Sequence, residues 1–274
     1  MTSNPKKLIE LLVKVDRAKK HLIDLQLEVN RFFRPPYPYE ILSEDNRDTR
    51  ERTYYLRVHK ETPSDLSTLI GDVAQNLRSA LDHLAWHLVK NSPVTPKTPD
   101  RRIYFPIFET AEEYRRGKSG KIQGVTGAAI EAIDAIKPYY RLDGVGIGNP
   151  ALYWLSEINI QDKHRLLIPV WTAAPARSIT KSRRLEMANV LLSAFGSEST
   201  DVMVPSLVPP GPLEDGSKLC TLPISEVDDN MKFRFQVAFG EPEGIRGKEI
   251  ISTLSNTHRI VKEIMFDFDA KGLL

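Results

Sequence analysis

Between Thr62 and Asn91 the chain reads TPSDLSTLIGDVAQNLRSALDHLAWHLVKN, and this run limits the fold more than any other. At about 100° per residue, Ile70, Val73, Leu77, Leu81, Leu84 and Leu88 fall in one apolar stripe. The run is therefore expected to be one long helix buried along that stripe. Thr62 is placed as the N-cap, Pro63 at the first helical position, and Asp65 at the third, where it completes a capping-box pattern. Asn91, Ser92 and Pro93 end it. The opposite side carries Asp72, Asn76, Ser79, His83, Trp86 and His87. Those residues hydrogen-bond, titrate or stack, where a plain solvent face would be Lys, Glu and Gln.

Composition narrows the class. At 274 residues the chain can bury a full core. A net charge of +2 leaves no overall nucleic-acid footprint, so any such site must be a local patch. The one cysteine, Cys220, has no internal disulfide partner, which fits a reducing cytosol. The first twenty residues lack the apolar core of a signal peptide, and no apolar run approaches the roughly 20 residues that span a bilayer. A soluble, cytoplasmic protein with no membrane partner is expected.

The flanking sequence supplies further elements. Pro5 to Phe33 reads as a first amphipathic helix, stopped by Arg34-Pro35-Pro36. Tyr39 to Leu42 and Thr53 to Val58 read as two strands around the polar turn Ser43 to Arg52. Past the central helix come an extended piece, Ile103 to Phe108, and a helix start at Ala111 to Tyr114. That start is expected to break into the loop RRGKSGKIQG. Helices follow at Thr126 to Ile136 and Ala151 to Asp162. From Leu166 the character changes to strands at Leu166–Trp171, Glu186–Phe195, Asp201–Val204, Lys218–Leu222 and Met231–Ala238, and Lys248 to Ala270 closes as a helix. The expected class is α+β, a helical bundle with a β-hairpin and an added C-terminal antiparallel sheet. The composition shift divides it into 1–165, the bundle with its hairpin, and 166–274, the sheet and a last helix packing back on the bundle; the alternative is a single domain with a subdomain edge there.

Arg78-Ser79-Ala80-Leu81-Asp82-His83 places an arginine and a histidine five residues apart inside that bundle helix. Here the sequence resembles the HEPN superfamily, compact all-helical domains found in bacterial toxins, defence ribonucleases and nucleotidyltransferase partners. The resemblance covers the central helix and its helical neighbours, and its family motif has a more polar residue where Ser79 stands. It implies a HEPN-like core, metal-independent RNA cleavage or RNA binding in defence or stress response, and a homodimer paired across such a helix. His83 would move a proton at the ribose 2′-hydroxyl or the leaving 5′-oxygen. Arg78 would hold the phosphate, and Ser79 or Asn76 would orient the imidazole. Five residues turn a helix by about 140°, so Arg78 and His83 do not share a face.

Other readings compete. Asp82 lies four residues after Arg78, the spacing of an intrahelical ion pair, and the polar side of the helix could be a structural hydrogen-bond layer or a small-ligand pocket in a non-catalytic binding or assembly protein. Asp162-Lys163-His164-Arg165 ends a helix, where bases suit the free carbonyls. Alternatively Lys163, His164 and Arg165, with Asp72 and His87, contact the substrate. His83 and His87 are four apart, the spacing of a metal pair that His164, Asp72 or Asp162 would complete. With no CxxC or HExxH beside them, no metal or cofactor is assigned. The glycines 144, 146 and 148 lack the context of a phosphate loop, and the basic runs at 115–121 and 177–184 are solvated loops or backbone contacts for nucleic acid.

Overall fold

The computed structural model describes residues 5–93, 99–141, 148–165, 169–175, 213–227 and 233–274. The expected strands at 186–195 and 201–204, the loop at 142–147 and the basic run at 177–184 lie outside the described residues. Six α-helices occur among those described: α1 (Pro5–Phe32), α2 (Asp65–Lys90), α3 (Ala111–Lys121), α4 (Gly127–Ile136), α5 (Pro150–His164) and α6 (Ile250–Ala270). Helices and strands together make the chain α+β.

The bundle is built on α2. It packs against α1, α5 and α6, and α1 also packs against α6. All six residues of the expected stripe, from Ile70 to Leu88, are buried. One continuous core joins them to Leu11, Val15, Leu22 and Leu25 of α1, Leu152, Leu155 and Ile158 of α5, and Leu254, Val261 and Phe268 of α6. Residues on both sides of position 166 therefore share that core. α1 and α2 run antiparallel, since His21 faces Asp72 and Glu10 faces His87.

The described strands form three small sheets. β1 (Tyr39–Asn46) and β2 (Glu51–Val58) pair antiparallel, and β6 (Lys218–Pro223) pairs antiparallel with β2. β3 (Phe108–Thr110) and β4 (Tyr139–Arg141) are a short parallel pair, and β5 (Pro169–Pro175) and β7 (Phe233–Phe239) pair antiparallel. The second half thus adds one separate antiparallel pair, β5 with β7, while its β6 extends the hairpin sheet. Tyr54, Leu56, Leu219 and Cys220 form a smaller cluster under that sheet, and β7 closes over it. The Tyr39 and Phe235 ring centroids are 4.9 Å apart, and those of Tyr54 and Phe233 are 5.5 Å apart. The hairpin strands are longer than the sequence suggests, because Asn46 Oδ1 accepts from the Asp48 and Thr49 amides and compresses the turn.

Three local readings are corrected. α2 starts at Asp65, and its N-cap is Ser64, in helical conformation and without a side-chain cap bond, so Thr62 and Pro63 precede the helix. α3 does not break after Tyr114 but continues to Lys121. Thr110 caps it in a full capping box with Glu113, and Lys118 pairs with Asp134 of α4 at 2.6 Å. Gly117 is there for close approach, since a Cβ would meet the Phe108 ring at 2.6 Å. Third, Ile103 to Phe108 is only partly extended: a 3-10 turn, Asp100–Arg102, precedes it and β3 starts at its end.

The two caps give opposite expectations. Thr110→Ala should lose about 1 kcal/mol in urea unfolding, whereas Ser64→Ala should change stability by less than about 0.5 kcal/mol.

Candidate functional site on the central helix

The Arg-x4-His segment divides at the surface of the bundle. Arg78 is 8% exposed, and its guanidinium points into the protein. Nη2 donates to the Phe105 carbonyl at 2.9 Å and lies 2.9 Å from Asp82 Oδ1. Asp82 Oδ1 in turn accepts the Phe105 N–H at 2.9 Å. One intrahelical ion pair therefore holds both hydrogen-bonding groups of a single residue. It is needed because Ile103 and residues 105–107 are buried outside any helix or sheet, and a buried peptide group left unpaired is costly.

Burial weighs against both charges. It lowers the Arg78 pKa and raises that of Asp82, and the attraction between the two opposes each shift. Lys121 approaches the same segment, donating to the Ile107 carbonyl at 3.3 Å with its Nζ 4.1 Å from the Phe108 ring centroid. Its pKa is pushed down by burial first and by Arg78 second. Arg78 Nη1 is buried without a hydrogen-bond partner among the described residues. Being closed to solvent, it is not displayed to a ligand. This arrangement fastens a loop to a helix.

His83 is exposed, on a different side of α2 from the Arg78 guanidinium. Ser79 accepts from Gln75 at 3.4 Å, and Asn76 donates to the Asp72 carbonyl at 2.8 Å, so the Asn76 amide is bonded to its own helix. His87 is half-buried, its Nε2 3.9 Å from Glu10 of α1 and its ring edge-on to Trp86 at 5.3 Å. Burial lowers its pKa; Glu10 opposes that shift, while Lys7 and His83 add to it. Trp86 is 40% exposed and donates to Asp100 at 3.4 Å, and Lys90 reaches the same carboxylate at 2.7 Å. His83, Trp86, His87 and Lys90, with Lys7 and Glu10, thus make one mixed polar and aromatic surface.

The other predicted residues lie apart. Asp72 is 3.8 Å from His21 Nδ1 and faces Asp162, whose pKa is raised by burial and then by the Asp72 charge. Gly71 makes room for that carboxylate, since a Cβ would fall 2.0 Å from Asp162 Oδ1. Lys163, His164 and Arg165 are exposed at the end of α5. Arg165 pairs with Glu241 at 2.6 Å, and the Lys163 charge is close enough to lower the Asp82 pKa. No group of three His, Cys, Asp or Glu placed to hold a metal occurs among the described residues.

Reading the sequence missed Lys7, Glu10, Asp100 and Phe105. Lys7 and Glu10 belong to α1 and Asp100 and Phe105 to the irregular segment after α2, and none carries a spacing signal. Arg78 with Asp82 was legible from their i,i+4 separation.

Two expectations follow. Arg78→Met should destabilise the chain by about 3–5 kcal/mol in urea unfolding, because Asp82 is left buried without its cation. His87 and His258 both have pKa values lowered chiefly by burial. On acidification the unfolded chain takes up protons first, so stability is full above about pH 7 and falls as pH drops through the ordinary histidine range. Melting temperatures between pH 8 and 5 should show this fall, and the double variant His87→Gln, His258→Gln should flatten it.

No family model, curated protein or solved structure matches the chain, so its function has to be read from its own residues.

Proposed function

We propose that the chain is a non-catalytic binding or assembly protein, with the outward side of α2 around His83, Trp86 and His87 as its contact surface. RNA is the partner class that the HEPN resemblance implies, and a second copy of the chain is its protein partner. The setting proposed is the cytoplasm; no helix among the described residues is long and apolar enough to cross a membrane. One observation carries the preference for binding over cleavage. The Arg78 guanidinium, the group that would steady phosphate charge, is buried and committed to Asp82 and Phe105. A half-exposed indole beside Lys90, with Lys7 near the neighbouring His87, suits stacking on an unpaired base with cations near its phosphates.

A second reading, RNA cleavage without a metal, draws on a separate observation. His83 and His87 sit close enough for their charges to interact, and burial favours neutral His87. An imidazole pair of that kind can supply a base and an acid.

Purified chain mixed with labelled single-stranded RNA at pH 6 to 8 should bind it and leave it intact. Trp86→Ala should weaken binding at least about tenfold, the loss of roughly one stacked base. RNA breakdown that disappears in His83→Ala, at unchanged melting temperature, would establish the cleavage reading instead. No binding at low salt would remove RNA from the proposal.

A further inference from the structure

α1 has two apolar stripes. The inward one, from Leu11 through Val15, Ala18, Leu22 and Leu25 to Val29, is buried in the bundle. The outward one is open: Ile9 is 63% exposed, Val13 60%, Ile23 51% and Leu27 53%. Asp16 and Lys20 are exposed between them. Positions 9, 13, 16, 20, 23 and 27 advance by four, three, four, three and four residues, the step of a coiled-coil seam. A helix already anchored through its other side has no need of that second stripe for folding.

The outward stripe is also complementary to itself when reversed. Laid antiparallel on a second copy about an axis at residue 18, Ile9 meets Leu27, Val13 meets Ile23, and Asp16 meets Lys20. Every apolar residue then faces an apolar one, and each charge in the seam faces its opposite. A parallel arrangement would put Asp16 on Asp16 and Lys20 on Lys20. Among the described residues neither forms an ion pair within 4 Å, although Asp16 is near enough to His258 of α6 to act on its pKa.

We infer that the outward face of α1 is the seam of an antiparallel homodimer related by a two-fold axis, in which each face is both donor and receiver. The inference rests on the homodimer part of the proposed function and gives it a surface, on α1 and not on α2. Arg17 and Lys19 lie next to the axis and bring like charges near one another, so the aliphatic layers hold the contact and its strength is modest.

Sedimentation velocity of the full chain, from low to high micromolar concentration, should show a monomer–dimer equilibrium. Asp16→Lys and Lys20→Asp should each weaken it at least about tenfold, about 1.4 kcal/mol, with circular dichroism unchanged because both positions are exposed. An equimolar mixture of the two variants should dimerise again, since each Lys of one then meets an Asp of the other. A mixture of Ile9→Cys and Leu27→Cys chains should cross-link under mild oxidation, and neither alone should. A chain that stays monomeric throughout would overturn both the seam and the homodimer. A dimer indifferent to the charge reversals would overturn the seam and leave the homodimer standing on another face.

Discussion

The bundle depends on an ion pair that serves the backbone of one residue, Phe105. Between the end of α2 and the start of α3 the chain must pass back along the bundle, and Phe105 enters the core as it does so. No neighbouring strand among the described residues bonds its backbone there. Arg78 and Asp82, one turn apart on α2, take its carbonyl and its amide while neutralising one another. Two buried charges would be expensive singly. Together, and joined to a backbone that needs both an acceptor and a donor, they allow an irregular segment to be buried.

The same helix sets the position of the others. α1 runs antiparallel along it, and α5 comes close where Gly71 has no side chain, which brings Asp162 against Asp72. Burial and the facing carboxylate both raise the Asp162 pKa, so this contact opposes folding more as pH rises through the carboxylate range. The geometry gives space and the charges do not reward it, which shows that apolar packing around Leu155 and Ile158 holds α5 in place.

The elements that could be read in advance are those with a period. The 3.6-residue repeat located α1, α2, α4, α5 and α6, and alternation located the hairpin and β7. α3 was misread because Gly117 and Gly120 look like breakers when seen alone; the ring of Phe108 that Gly117 admits belongs to another element. The addition of β6 to the hairpin was illegible for a related reason, since Cys220 facing Tyr54 is a pairing across most of the chain. In the candidate site the residue types were legible and their directions were not. Arg78 lies at the edge of the stripe, where a helical wheel alone does not say whether a long side chain turns inward. The acceptor that draws it in is a backbone atom, and side-chain identity carries no trace of that.

Arg78, Asp82 and the passing chain at Phe105 also constrain how this protein could diverge. Losing either charge strands the other, and moving the segment strands both. Descendants of this sequence should therefore keep the trio whole or exchange it in one step for an apolar set with a rerouted backbone, and single-residue intermediates should be rare. The exposed histidine five positions on has no such bond among the described residues, and is free to change or to be recruited without disturbing the bundle beneath it.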